Sequence, residues 1–133
     1  MSHIPTVQSI YAAFGRGDIP AILDCLADDV LWEYDKAPAG IPWLVPLRGR
    51  ADVPKFFAAL TAVEFQQFEP KLQLESGNVV VSLNDVTFTV KATGKRVVEQ
   101  DEIHIWHFGA GGKVARFCHK TDTLQHWLAL QAT

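Results

Sequence analysis

The sequence predicts an α+β domain in which a strongly curved antiparallel β-sheet wraps around N-terminal helices, with a short helix at the C-terminus. Three observations support this class. Apolar residues recur at helical spacing in the first part of the chain, alternation typical of strands begins at Val63, and a last helical pattern follows Asp122. A strand of ~12 residues spans about 40 Å, more than the width of a small domain, so it must bend. We therefore expect a cone-shaped fold with a pocket on its concave side.

The first helix is predicted over residues 5–16, because apolar side chains recur every three or four positions from Ile4 to Phe14. Gly15 and Gly17 are expected to end it.

A second helix is predicted to begin at Asp18, a good N-cap residue, with Pro20 in its first turn. We expect this helix to end at Asp28-Asp29 and a short strand to follow over residues 30–34.

Residues 36–49 are predicted to form a long loop, since they include three prolines and two glycines. The loop is unusually apolar, and the sequence leaves two alternatives: it packs down as a plug, or it covers a cavity as a lid. Helix three is expected next, with Asp52 as its cap, Pro54 early, and Val53, Phe56, Phe57 and Leu60 on one face.

Four strands are predicted after the third helix, over residues 65–75, 79–90, 95–108 and 114–121. In the second of these, the apolar positions change from odd to even across Asn84-Asp85, which predicts a β-bulge there. Asp122 or Thr123 is expected to cap the final helix. Its predicted inward side chains are Leu124, Trp127 and Leu128.

Composition restricts the function classes. The chain has 133 residues and a formal net charge of -3, which fits a single domain and offers no basic field for nucleic acid or an anionic membrane. No signal-like segment or membrane-length apolar run is evident, so we expect a cytoplasmic protein. The two cysteines, Cys25 and Cys118, do not form a disulfide framework.

The predicted hairpin over residues 101–122 holds the strongest chemical pattern. His104 shares a strand face with Trp106, and His119 shares one with Phe117. If the two faces coincide, the two imidazoles lie within ~5–8 Å at Cβ inside an aromatic wall. That arrangement suits acid/base chemistry on a small apolar molecule. A metal would need a third ligand, which the sequence does not place, so we expect neither a metal nor a cofactor.

Three blocks of the chain carry a family resemblance: YAAFGRGDIPAILDCLADDVLWEY (11–34), LRGRADVPKFFAAL (47–60) and HIWHFGAGGKVARFCHKTD (104–122). They resemble the nuclear-transport-factor-2-like superfamily, and most closely its SnoaL-like polyketide cyclases and ketosteroid-isomerase-related proteins. This superfamily hosts isomerases, cyclases, hydrolases and non-enzymes, so the resemblance implies the fold more strongly than the chemistry.

The resemblance was transferred residue by residue. Where ketosteroid isomerases have a catalytic tyrosine, a proton-shuttling aspartate and an oxyanion-hole aspartate, this chain has Ile10, Tyr34 and His104. Steroid isomerisation by that mechanism is therefore not expected. Asp122 matches the acid/base aspartate at the end of the last strand in SnoaL-like cyclases and related epoxide hydrolases. The Arg-x-Asp pair of those hydrolases is replaced here by Asp-Val-Thr at residues 85–87.

The expected catalytic residues are therefore His104, His119 and Asp122. His104 is the leading candidate as donor or base, because the resemblance places it deep in the pocket; the alternative is a core histidine with an ordinary hydrogen bond. Asp122 is divided between catalysis and capping the final helix. The expected substrate-binding residues are Tyr11, Phe14, Trp32, Tyr34, Trp43, Trp106 and Phe117.

The leading hypothesis is a cofactor-independent enzyme that isomerises, cyclises or hydrates a small apolar carbonyl compound. The alternatives are a non-catalytic module that binds a small hydrophobic ligand, and a structural domain whose cone is filled by side chains. We also expect a homodimer formed through the outer face of the sheet, because Ile103, Ile105 and His107 alternate onto that face. His3 and His126 show no pattern that predicts a role.

Overall fold

The computed structural model describes residues 1–132 and has four α-helices packed against a six-stranded curved sheet. The helices are α1 (Ile4–Gly15), α2 (Ile19–Leu23), α3 (Pro54–Ala59) and α4 (Thr123–Ala129). The strands are β1 (Leu26–Tyr34), β2 (Leu47–Arg48), β3 (Val63–Ser76), β4 (Val79–Val90), β5 (Arg96–Phe108) and β6 (Val114–Lys120). The predicted α+β class is confirmed, and the elements follow the predicted order except for β2, which lies within residues 36–49 that were expected to form a loop.

The strand order is β2-β1-β6-β5-β4-β3, and every neighbouring pair is antiparallel except β1 and β6, which are parallel. The expectation of a wholly antiparallel sheet is corrected at this one pair. It is parallel because the three-stranded meander of β3, β4 and β5 separates β1 from β6, so β6 returns in the same direction.

Two helix boundaries differ from the predictions. α2 ends at Leu23 and β1 begins at Leu26, so Asp28-Asp29 lies inside the strand and does not end the helix. At α3 the N-cap position is Val53, and the side chain of Asp52 forms an ion pair with Lys55 (2.7 Å) in place of a cap.

The last helix also differs from its prediction. Asp122 caps α4 by accepting a hydrogen bond from the backbone N–H of Gln125 (3.1 Å). Leu124 and Leu128, expected to face inward, are 60% and 51% exposed, whereas His126 is 1% exposed. The face of this short helix is set by the polar partners of His126 as well as by apolar burial.

The loop after β1 packs down on the sheet, and its Trp43 also lines a cavity, so the loop has features of both the plug and the lid alternatives. It contains a 3₁₀ turn at Pro42–Leu44, and Ile41, Trp43 and Leu44 are all buried. These three residues join a second apolar cluster with Val86 and Phe88 of β4, separate from the main cluster under α1 and β1.

The predicted bulge in β4 is wrong. Even-numbered residues of β4 face inward throughout, including Ser82 and Asn84, and the odd apolar residues stay on the outer face. The extra residue lies in the partner strand: Asn84 pairs with Glu102 while Val86 pairs with Glu99, so two steps on β4 match three on β5.

Asp101 of β5 has a left-handed backbone (φ 61°) at this point, the one non-glycine residue of the described chain with a positive φ. Its backbone N–H donates to Asp85 (3.2 Å), and Lys71 forms ion pairs with Asp85 (2.8 Å) and Asp101 (2.7 Å). We call residues 99–102 the β5 bulge. Across it, Glu99 and Glu102 both face inward. In a regular strand, residues three positions apart would face opposite sides of the sheet.

None of the helices within residues 1–132 is long and apolar enough to span a membrane.

Candidate functional site

A cavity of ≈ 70 Å³ lies between the helices and the curved sheet, where the two apolar clusters meet. Its wall is largely aromatic, and its polar side chains are concentrated on β5, β6 and α4. The lining residues include Tyr11, Phe14, Trp32, Trp43, Phe56, Phe57, Phe65, Phe68, Phe88, Glu102, His104, Trp106, Phe117, His119 and His126. Six of the seven expected substrate-binding residues therefore line the cavity.

Tyr34, the seventh, does not line the cavity. Its hydroxyl accepts a hydrogen bond from the indole N–H of Trp32 (2.9 Å), and its ring lies 5.4 Å from that of His119. Tyr34 therefore contacts two residues of the cavity wall, Trp32 and His119, without lining the cavity itself.

His104 and His119 lie side by side, as the predicted hairpin required. They are directly opposite each other in the β5–β6 register, and their ring centroids are 4.7 Å apart. Both are nearly buried, with exposures of 6% and 7%. Trp106 and Phe117 form the next pair along the same face, so the aromatic wall continues beyond the two imidazoles.

Glu102 is the functional residue that the sequence analysis missed. One carboxylate oxygen, Oε1, lies 3.1 Å from Nε2 of His104 and 3.0 Å from Nε2 of His119. The alternation of β5 puts Glu102 two positions before His104 on the same face, and this spacing was the available signal.

Glu102 is ionised in this setting. Burial by itself would raise the pKa of its carboxyl, but the two imidazoles beside it, His119 and His104, together hold that pKa well below its usual value. The site thus contains a buried negative charge whose main partners are two imidazoles.

The proton positions on His104 follow from its partners. The carboxylate of Glu102 can only accept, so Nε2 of His104 donates to it. Nδ1 of the neutral ring then accepts from the hydroxyl of Tyr11 (2.8 Å), and that hydroxyl accepts from the indole N–H of Trp106 (3.0 Å). Burial lowers the pKa of His104, consistent with a neutral ring. Every polar atom of His104 therefore has a protein partner.

Tyr11 itself is held as a phenol, because burial strongly raises the pKa of its hydroxyl. Ile10 stands at the position of the isomerase tyrosine, and the hydroxyl of the neighbouring Tyr11 reaches the site.

His119 differs from His104 in its hydrogen bonds. Within residues 1–132, neither of its ring nitrogens has an aligned hydrogen-bond partner, although Nε2 lies 3.0 Å from Glu102. Nδ2 of Asn84, a fully buried residue opposite Glu102 on β4, also has no partner in that range. Buried polar atoms are normally satisfied, so the unpartnered nitrogens of His119, which lines the cavity, indicate a place where a ligand can bond.

A second histidine–carboxylate group adjoins the first. Nδ1 of His126 accepts from the indole N–H of Trp43 (2.9 Å), so Nε2 of the neutral ring carries the proton and donates to Glu99. Thr121 Oγ1 lies 2.6 and 2.7 Å from the two oxygens of Glu99 and 3.2 Å from Oε2 of Glu102. His126, which the sequence analysis left without a role, is thus a buried part of the polar network.

Two sets of side chains offer metal-ligand atoms within 4.8 Å of one another: Glu102 with His104 and His119, and Glu99 with Glu102 and His126. The first set supplies the third ligand that the sequence did not place. The hydrogen bonds put protons on Nε2 of His104 and Nε2 of His126, and a cation would have to displace them. The arrangement as it stands suits protons better than a cation.

Asp122 lies outside the cavity. It is exposed, caps α4 and lines a separate polar groove formed by residues of β5, β6 and α4. Of its two expected roles, the capping role is the one that its contacts support.

Comparison with known proteins identifies the family. The model of the SnoaL-like domain family matches residues 7–117. Among solved structures, an NTF2-like protein of unknown function from Burkholderia pseudomallei shares 27% identity and a TM-score of 0.87, over 99% of this chain and 100% of that one. An NTF2-like protein from Burkholderia thailandensis also shares 27% identity, with a TM-score of 0.83 over 98% of each chain.

A candidate polyketide cyclase from Pseudomonas putida shares the fold, with 19% identity and a TM-score of 0.78 over 98% of this chain and 99% of that one. No match was found among curated proteins.

Proposed function

The chain belongs to the SnoaL-like domain family, and we propose that it is an enzyme of the isomerase or cyclase type that moves a proton on a small apolar carbonyl compound, without a cofactor. The observation that supports this is His119, a nearly buried imidazole with two unpartnered nitrogens at an aromatic cavity. A carbonyl oxygen of a substrate could accept from the protonated nitrogen, a substrate hydroxyl could donate to the other one, and imidazole can both accept and donate a proton.

The two histidines are proposed to have different tasks. His104 is already bonded to Tyr11 and Glu102, which makes it suited to holding Glu102 and the hydrogen-bond chain in place. His119 is open, so it is the better candidate for exchanging a proton with the substrate. Glu102, 3.0 Å away, would stabilise the imidazolium that forms when His119 accepts that proton.

The cavity favours a small and largely apolar substrate. Its volume of ≈ 70 Å³ corresponds to about five to seven water molecules, or a compound of roughly one ring. The aromatic rings would stack on a flat apolar body, while the oxygen of the substrate would face His119 and Glu102. A larger substrate would require the buried Ile41, Trp43 and Leu44 to move.

The test needs no knowledge of the full reaction. Cyclic ketones, enones and lactones of one ring are incubated in D₂O, and exchange of the hydrogen next to the carbonyl is followed by NMR. We expect the wild-type protein to accelerate exchange for at least one compound. His119→Gln should slow it by roughly 10²–10⁴-fold, the usual contribution of a general acid or base. His107→Gln, on the outer face, is the matched control and should leave the rate unchanged.

Full exchange activity in His119→Gln would refute the role of His119. Activity lost with EDTA and restored by Zn²⁺ would point instead to the metal-ligand set of Glu102, His104 and His119.

The second candidate is a non-catalytic module for small hydrophobic ligands, which the largely apolar wall favours. A ligand that binds tightly, shows no hydrogen exchange and is recovered unchanged would support this function over the first.

We also propose a homodimer through the outer face of the sheet. His107, Ile105 and Ile103 of β5 lie beside Val79, Val81 and Leu83 of β4 in the register, forming a partly exposed apolar surface. Light scattering of the wild type should give twice the chain mass. The double variant Ile103→Lys/Ile105→Lys should give the monomer mass, and a monomeric wild type would refute the proposal.

A further inference from the structure

Glu102 lies between two spaces of opposite character. On one side it lines the aromatic cavity, and on the other it lines a polar groove of ≈ 350 Å³ together with Glu99 and Thr121. The groove also includes Asp101, Lys120 and Asp122, so it is a region where water is expected. The wall of the cavity is largely aromatic and apolar, whereas the groove side offers a series of polar side chains that can carry a proton.

Thr121 connects the two buried carboxylates. Its single hydroxyl proton goes to Glu99, which is the closer acceptor at 2.6 and 2.7 Å. While Glu102 is ionised, no proton lies between Thr121 Oγ1 and Oε2 of Glu102, which are 3.2 Å apart. This contact becomes a hydrogen bond only when Glu102 holds a proton and donates it to a lone pair of Thr121.

The β5 bulge brings this arrangement about. A regular strand would send Glu99 and Glu102 to opposite faces, since three positions separate them. The left-handed backbone of Asp101 and the extra residue turn both carboxylates inward, within reach of one hydroxyl.

We propose that Glu102, Thr121 and Glu99 form a proton path between the cavity and the polar groove; this deepens the proposed function, because it supplies and removes the protons that His119 handles. Thr121 and Glu99 act through Glu102 and are positioning residues in this scheme.

Each step conserves atoms and charge. His119 in its imidazolium form gives a proton to Oε1 of Glu102, which leaves a neutral ring and a neutral carboxyl. A half-turn of that carboxyl about its terminal sp³–sp² torsion, which is roughly two-fold, brings its O–H to Thr121. Glu102 then donates to Thr121 as Thr121 passes its own proton to Glu99. Glu99 releases the proton to water in the groove, and the reverse sequence reloads the site.

The path can be tested in the resting protein, without a substrate. His104 Nε2–H donates to Glu102, so its exchange with water reports on proton traffic through Glu102. In ¹⁵N-histidine-labelled protein, NMR measures the exchange rate of this imidazole proton. We expect Thr121→Val, which keeps the shape but removes the hydroxyl, to slow exchange by about tenfold or more. Thr121→Ser, which keeps the hydroxyl, should restore the wild-type rate.

A second variant, Glu99→Gln, keeps the test decisive if Thr121→Val folds poorly. Glu99→Gln retains hydrogen bonding but cannot carry the proton, so it should slow exchange to a similar extent. Where both single variants fold, exchange of the imidazole proton in Thr121→Val/Glu99→Gln should be no slower than in either of them, because both changes interrupt the same path. Thr89→Val is the matched control, since the hydroxyl of Thr89 donates to Gln66 at the periphery (3.1 Å).

An exchange rate equal in wild type, Thr121→Val and Glu99→Gln would overturn the proton path. So would an imidazole proton that exchanges at the same rate as the backbone amides of β5, because exchange would then occur by opening of the strand. Either result leaves the role of His119 standing if His119→Gln still abolishes hydrogen exchange in the carbonyl compounds, so the two proposals fail separately.

Discussion

Two histidine–carboxylate groups stand next to each other in this protein, and they differ in how completely their polar atoms are bonded. In the group of Glu99 and His126, Trp43 and Thr121 complete the bonding. In the group of Glu102, His104 and His119, one imidazole is fully bonded and the other has no aligned partner within residues 1–132. The same residue types therefore serve structure in one place and remain available for chemistry in the other.

The comparison shows that residue type alone does not identify a site. A buried histidine whose two nitrogens both have protein partners offers no free hydrogen-bonding atom to a ligand, however close it lies to a cavity. His119 is set apart by the bonds it lacks, and this property can be tested against the bonds that His126 makes.

The largest difference should appear in stability. His126→Ala leaves the Glu99 carboxylate and the Trp43 indole N–H buried without their main partner, so the free energy of unfolding should fall by about 3–5 kcal/mol. His119→Ala removes no aligned hydrogen bond and should cost clearly less. Urea denaturation measures both. Equal losses in the two variants would remove the distinction between the groups.

A smaller effect is expected at the hydrogen-bond chain that holds His104. Tyr11→Phe leaves Nδ1 of His104 and the indole N–H of Trp106 without their shared partner, and this should destabilise the protein by about 1–3 kcal/mol. The measurement is again the urea midpoint. No loss of stability would mean that His104 does not depend on Tyr11 for its orientation.

Acidification should weaken the group of Glu102 and His104. Burial lowers the pKa of His104 in the folded protein, so this residue stabilises the fold above its unfolded pKa of 6.5, and the contribution is lost as the pH falls toward the folded value. The pKa of Glu102 is also lowered, so its contribution is present above 4.5 and is lost at still lower pH.

The free energy of unfolding, measured from pH 8 to pH 4, should therefore begin to fall below about pH 6.5. His104→Gln should flatten the upper part of this curve while the lower part remains. An unchanged curve in that variant would show that His104 is not the group that titrates.

The smallest effect is expected at the ion pairs that hold the β5 bulge. Lys71 is 35% exposed, and Lys71→Met removes its pairs with Asp85 and Asp101. The loss of unfolding free energy should be the smallest of those predicted here, because exposed ion pairs contribute little to stability. The proton exchange rate of His104 should hardly change, because Asp85 still accepts from the backbone N–H of Asp101.

Much of the fold could be predicted because its signals are local. The helical spacing in residues 5–16 and the alternation in β5 and β6 depend only on nearby residues, and they correctly brought His104 and His119 to one face. The bulge could not be placed, because Val79, Val81 and Leu83 are apolar yet lie on the outer face of β4. Their pattern therefore predicted an extra residue in β4, whereas the extra residue lies in the neighbouring strand β5.

The sequence by itself determined the order of the elements and the pairing of His104 with His119, since strand alternation and turn position are properties of the chain. Only the tertiary structure decided which polar groups meet there. Glu99 joins the site because a left-handed residue in β5 reverses its facing, and His126 joins because α4 folds back to Trp43, which is 83 positions away in the chain. Long-range contacts of this kind leave no periodic trace, so the difference between the bonded and the open imidazole is visible only in the folded protein.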